Sequence, residues 1–178
     1  MLPLSILSYV LITVYLTLHT IGVHYTYSQV PFGFWLGQVM EFNRNHFDRI
    51  VHFSFGFLLT YPLGELFRLV RVRGWLVHYV SVMTILGLSG FWEVVESWVA
   101  QLARPDLGPA VLGSQGDVWD AQKDITVALY GSLLSVALTF IIGRYFGSAS
   151  EATDAVMAEE DSLEAVEELI EEAPAQPS

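Results

Sequence analysis

Apolar residues along this chain fall into four long runs separated by short polar stretches. Each run has roughly the 20-residue length that an α-helix needs to cross a bilayer. They lie near Leu4 to Ile21, Ile50 to Val70, Trp75 to Leu102 and Ile125 to Phe146. The first run lacks a basic leading segment and is followed by no small-residue cleavage site, so it reads as a retained span and not as a secretion signal. Within the second, Gly56, Thr60 and Gly64 recur at every fourth residue. In the last, Gly131, Ser135 and Thr139 do the same. Such small-residue stripes let helix backbones approach closely in a membrane, where apolar burial gives helices no reason to prefer each other over lipid. Pro62 lies inside the second run and predicts a kink there. The pattern therefore predicts an all-α, polytopic membrane protein whose four spans pack as a bundle.

Composition agrees: 53% of the 178 residues are hydrophobic and the mean hydropathy is +0.46, both high for a soluble domain of this length. Charge then divides the chain in two. Residues 147–178 carry ten of the nineteen acids and none of the eight basic residues, so the formal charge of -11 resides almost wholly in the tail. The expected organisation is a helical bundle over residues 1–147 and a mostly disordered acidic tail over 148–178, too poor in apolar residues to order itself. Val156, Leu163, Val166 and Ile170 share one helical face, and Asp161 with Glu164 fits a capping box, so a transient helix can form within the tail. The near-neutral body offers no electrostatic footprint for nucleic acid. With no cysteine, disulfides, thiolate metal sites and cysteine nucleophiles are all excluded.

Arg68, Arg71 and Arg73 crowd the very short link between the second and third runs, and Arg144 ends the fourth. Basic residues concentrate in cytoplasmic loops, so both termini are expected to be cytoplasmic. Eight of the nine acids in the body then fall at the outer ends of the spans. Glu65 lies toward the inner end, with Arg68 as its i, i+3 partner.

The spacing of the outer residues suggests a site. Only residues three or four apart share a helix face. Asp48 and His52 are i, i+4, Glu93 and Glu96 are i, i+3, and Asp120 and Asp124 are i, i+4, with Asp117 joining them if the helix starts early enough. Trp75 to Trp92 covers roughly 27 Å at about 1.5 Å per residue, which brings Glu93 and Glu96 to the same plane as the other two pairs. Carboxylates with an imidazole can hold one divalent metal, for which His52, Glu93, Glu96, Asp120 and Asp124 are the candidate ligands. Asp48, His52, Glu93, Glu96, Asp117 and Asp120 could equally divide acid and base roles. Gly113, Gln115 and Gly116 shape the loop that precedes the last span. Against this stands a plain structural account. Membrane interfaces are rich in Trp and charge, as Trp35, Trp92, Trp98 and Trp119 illustrate, and acids at a helix N-terminus such as Asp120 and Asp124 are stabilised by the macrodipole alone.

Four segments carry a resemblance. HTIGVHYTYSQVP (19–31), NHFDRIVHFSFG (45–56), FWEVVESW (91–98) and GSQGDVWDAQKD (113–124) closely resemble the YjdF-type bacterial inner-membrane proteins, a family defined by a domain of unknown function. The likeness runs from about Leu4 to Phe146 and implies a location in the bacterial cytoplasmic membrane. Family members often have further hydrophobic sequence before the segment that begins here LPLSILSYVL, which implies a chain short at its N-terminus. More remotely, Asp48 and His52 on one span, acids near the end of the next, and Asp117 with Asp120 before a small-residue helix are similar in layout to VanZ-like membrane proteins, which implies envelope chemistry by analogy.

Three functions stay open at this point. One is an enzyme acting at the outer leaflet on a lipid headgroup or lipid-linked envelope substrate. A second is a non-enzymatic module whose polar residues form a structural cap. The third is a small cation- or proton-coupled transporter, for which ionisable residues should continue across the bilayer. The partner common to all three is the lipid bilayer; nucleic acid is excluded, and oligomeric state is not encoded in any motif. No phosphate loop, nucleophile motif or HExxH zinc signature occurs.

Overall fold

The computed structural model describes the backbone of residues 4–103 and 117–171, with side chains as far as Tyr145 except those of Ala100 and Ala103. Among the described residues five helices follow in order: α1 (Ile6–Tyr25), α2 (Pro31–Met40), α3 (Phe47–Leu69), α4 (Trp75–Ala103) and α5 (Asp120–Glu171), with a 3-10 turn at Tyr27–Gln29. Among the described residues four segments are long and apolar enough to cross a membrane: Ile6–Tyr25, Phe47–Leu69, Trp75–Val99 and Asp120–Tyr145. The chain divides into Met1–Ala137, which contains the helix packing and the polar residues discussed below, and Leu138–Ser178.

One element is additional to the expectation. Helix α2 occupies the loop after α1; ten residues are too few to span, so hydropathy alone reads them as a connection, although Pro31 at the first helical position is a start signal. The last helix begins at Asp120, where its i, i+4 pairing with Asp124 places the start, and both of these carboxylates are buried while Gln122 and Lys123 are exposed. Its backbone continues as helix to Glu171, through the segment from Val156 to Ile170 whose pattern allows a transient helix. Ala and Glu, plentiful there, favour helix locally without needing a face to bury. Gly113, Gln115 and Gly116 lie outside the described residues.

Burial is inverted relative to a water-soluble domain. The buried positions of the described residues are largely small and polar, among them Ser8, Ser54, Thr60, Ser81, Ser89, Ser132 and Ser135. Large apolar side chains such as Leu16, Leu88, Phe91, Leu133 and Phe140 are exposed. Lipid is as apolar as these side chains, so they gain nothing by turning inward, while hydroxyls must find partners in the protein. Thr13, Thr17 and Thr20 on the exposed face of α1 each donate to the carbonyl four residues earlier, at 2.7–2.8 Å.

The small-residue stripes do their expected work at α3 and α5. A Cβ added at Gly56 would run into the Ala128 carbonyl, and one at Gly131 into the Phe53 carbonyl. Backbones this close permit a hydrogen bond of 2.7 Å between the Thr60 and Ser132 hydroxyls. Gly64 faces the other way, toward Val77 and Ser81 of α4. At the arginine-rich end, Glu65 accepts from the backbone N–H of Ser5 at 2.9 Å and the hydroxyl of Ser8 at 2.6 Å. Its carboxylate thus satisfies orphan donors at the start of α1, a role that the Arg68 spacing does not reveal. Gly74, at φ 63, makes the turn between α3 and α4.

Candidate functional site

The chain entering α3 is pinned by Asn45, which donates to the Val30 carbonyl at 2.9 Å and accepts from the Phe47 N–H at 3.0 Å. Gly33 of α2 leaves the space in which Asn45 sits. Val30, Phe47 and Val51 pack behind it with Tyr15, Leu18 and Tyr27. This fixes the first turns of α3, and with them Asp48, Arg49 and His52, at the end of the bundle opposite Glu65.

Successive residues of a helix point about 100° apart. Arg49 therefore diverges from its neighbour Asp48 and reaches the start of α5. Its guanidinium pairs with Asp124, lies 2.5 Å from the Asp120 carboxylate and 3.6 Å from that of Asp117, and donates to the Asp120 carbonyl at 3.2 Å. Arg44 joins from the preceding loop, 3.0 Å from Asp120 and 3.3 Å from Asp117. Lys123 reaches Asp117 at 2.6 Å. Asp117 also accepts from the Trp119 N–H, and the Lys123 bond followed by that backbone bond holds its carboxyl below the usual range. These contacts form a clasp between the entry to α3 and the first turn of α5.

His52 belongs to a second group. Its Nε2 lies 3.3 Å from Glu93 of α4 and 3.7 Å from Asp48. Its Nδ1 lies 3.4 Å from the hydroxyl of buried Ser89. Asp48, His52 and Asp124, all buried, each bring one ligand atom within 4.8 Å of the other two. One Asp124 oxygen is held by Arg49, and the other, Oδ1, is buried with no hydrogen-bond partner among the described residues. Glu96 stands aside, accepting from the Trp92 indole at 2.7 Å.

All six proposed acid or base residues and all five proposed metal ligands thus occupy one end of the bundle, but in unlike settings. Asp117 and Asp120 are saturated by cations, whereas Asp48 and Glu93 face His52, and Asp124 bridges the two groups. Arg44 and Arg49 belong to none of the pairings that the helical spacing suggests. The signal that would have found them is charge balance: three cationic side chains sit among six carboxylates at one membrane face, and a buried charge must be paired.

Beside His52 a cavity of about 220 Å³ opens between α1, α3 and α4. Tyr15 and Phe55 form an aromatic wall, with ring centroids 5.4 Å apart. Tyr27 folds back over Gly22, where a Cβ would meet its ring, and pairs with His19 Nδ1 at 2.8 Å. Burial, and then the charges of Asp48 and Glu96, push the Tyr27 phenol well above its ordinary pKa, so it stays protonated and able to donate. On the α4 side the lining residues Leu88, Phe91 and Trp92 are themselves exposed, so the cavity reaches the apolar surface of that helix. His52 and Ser89 line it as well, and so stand between the apolar space and the carboxylates.

The family described as "Predicted membrane protein (DUF2238)" matches residues 1–145. The Inner membrane protein YjdF of Escherichia coli (strain K12) is 36% identical over 136 residues, which cover 75% of this chain and 65% of that relative. The chain therefore spans about 65% of the length of the curated relative it matches. No solved structure matches.

Proposed function

This chain belongs to the DUF2238 family of predicted membrane proteins, and from that premise we propose that its polar end is a site acting on the headgroup of a lipid or lipid-linked envelope substrate. One observation carries the reading: His52 is a wall of an apolar cavity that reaches the apolar surface of α4, and at the same time the neighbour of Asp48 and Glu93. An amphiphile entering from the bilayer would leave its chain against Tyr15, Phe55 and Phe91 and bring its polar group to His52. An imidazole between two carboxylates is suited to move a proton at that position. Asp48 and Glu93 would set its charge, and Glu96 would receive or release the proton toward solvent. Asp117 and Asp120, paired with cations, would fasten the site without touching substrate. The density of Arg68, Arg71 and Arg73 at the other end supports an extracytoplasmic placement for this one, with cytoplasmic termini.

The structural-cap reading is favoured by the clasp, which accounts for Asp117 and Asp120 without any substrate. It gives no reason for Asp48 and Glu93 to face His52 beside a cavity. Transport has less support, since Glu65 at the opposite end is taken up by Ser5 and Ser8.

The test is lipid capture followed by product analysis. Protein reconstituted in phosphatidylethanolamine and phosphatidylglycerol bilayers is crosslinked to a lipid bearing a diazirine in its acyl chain, and labelled peptides are mapped. Labelling of the Tyr15 and Phe55 peptides should fall at least about fivefold when Ser89→Phe fills the cavity. A change in headgroup composition should appear with wild type and be lost in His52→Gln. Uniform labelling around all lipid-exposed helices, unaltered by the filled cavity, would defeat the proposal.

A further inference from the structure

We infer that Asp48, His52 and Asp124 bind one divalent transition-metal cation, of the manganese or zinc type, at the carboxylate side of the cavity. The inference deepens the reading above and rests on it only for what the ion would do. Its grounds are separate from the cavity.

The first ground is geometric. Three buried groups from α3 and α5 offer one donor atom each within 4.8 Å of one another, close enough for a single ion to touch all three. The second is an orphan: Asp124 is 1% exposed, and its Oδ1 has no hydrogen-bond partner among the described residues. A buried carboxylate oxygen left unpaired keeps its desolvation penalty uncompensated, and a cation is the direct remedy. Arg49 holds the other oxygen of the same carboxylate, which orients Asp124 as an outer-sphere partner orients a metal ligand.

The third ground is the orientation of His52. Nδ1 is 3.4 Å from the Ser89 hydroxyl, while Nε2 faces Asp48 and Glu93. If Nδ1 carries the proton and donates to Ser89, the Nε2 lone pair points at carboxylate lone pairs, an arrangement that repels unless a cation lies between them. Metal-ligating histidines habitually donate their second ring N–H in this way. The fourth is net charge. Arg44, Arg49 and Lys123 are engaged with Asp117, Asp120 and one oxygen of Asp124, so among the described residues no Lys or Arg side chain pairs with Asp48 or Glu93. A divalent ion would neutralise that excess. Two carboxylates and one imidazole favour manganese, iron or zinc over the all-oxygen shell that magnesium and calcium prefer. Glu93, with Oε1 buried and 3.3 Å from Nε2, is placed to complete the shell or to hold a water on the ion.

The experiment uses the full chain in detergent micelles, stripped with chelator and then titrated with Mn²⁺ or Zn²⁺ alone. Bound metal is read by mass spectrometry, Mn²⁺ additionally by its paramagnetic resonance, and thermal unfolding is followed in parallel. Wild type should bind about one ion per chain and unfold at a higher temperature with it. Asp48→Asn and His52→Gln should each weaken binding by at least about 100-fold. Ser89→Ala, which removes only the partner of Nδ1, should weaken it roughly 10-fold. Glu65→Gln, at the far end, should bind as wild type does. Absence of stoichiometric metal in wild type, or its retention in both Asp48→Asn and His52→Gln, overturns the inference. If Asp48→Asn does not fold, the Ser89→Ala and His52→Gln titrations decide alone. Loss of the metal site with lipid labelling intact would sink this inference and leave the lipid reading standing; a metal bound as described with uniform lipid labelling would do the reverse.

Discussion

Removing the cation at the centre of the clasp is the most direct probe of the fold. In Arg49→Gln the Asp124 carboxylate, 1% exposed, loses its cationic partner, while Asp120 keeps Arg44 at 3.0 Å. The damage therefore centres on Asp124. Two unit charges about 4 Å apart attract by about 4 kcal/mol at an effective dielectric near 20. Deleting one partner of a buried pair destabilises by roughly 3–5 kcal/mol, because the remaining charge is left without compensation. Glutamine can return one hydrogen bond but no charge, so the expected loss is about 3 kcal/mol. Asp124→Asn added to Arg49→Gln should recover part of it, with an interaction energy of about 1–3 kcal/mol. Exposed Arg73→Gln serves as control and should change stability by less than about 0.5 kcal/mol. The assay is reversible unfolding in mixed micelles with increasing denaturing detergent, followed by tryptophan fluorescence. A loss under about 1 kcal/mol for Arg49→Gln, or strictly additive effects in the double variant, would refute a buried, energetically coupled clasp.

Two further outcomes follow from local geometry. Gly56→Ala should destabilise by roughly 1–3 kcal/mol because its Cβ would strike the Ala128 carbonyl. Gly87→Ala, with nothing within 4 Å, should be neutral or stabilise by about 0.5–1 kcal/mol through helix propensity; equal effects in the same unfolding assay would show that α3 and α5 are not in backbone contact. The pH dependence should carry a signature of His46, whose pKa is lowered by burial and then by Arg44 and Arg49. The unfolded chain then binds the proton more readily than the folded one, so stability from this group is full above about pH 6.5 and falls as the pH drops through the lower folded value. His46→Gln should flatten that part of the pH–stability curve, and an unchanged curve would remove His46 as its cause.

How far the sequence reaches can be seen at particular residues. Length and hydropathy alone determined four membrane helices, because a span must satisfy its backbone internally over a fixed thickness of hydrocarbon. The same logic exposed the Gly56 and Gly131 stripes and the gathering of Asp48, His52, Glu93, Asp120 and Asp124 at one end, since helical rise fixes depth. What periodicity could not supply was direction. Asp120 and Glu93 read alike in sequence, two acids at helix ends near one plane, yet Asp120 meets Arg44 and Arg49 while Glu93 meets His52. Helix α2 escaped notice because it is too short to register as a span, although it positions Asn45 and through it the first turn of α3. Rotation of each helix about its axis is set by close backbone approach and by hydrogen bonds between distant residues, such as Thr60 to Ser132, and these have no signature at the spacing of a single helix. Which acids are clasped by arginine and which are left facing a histidine is therefore a property of the assembled bundle alone.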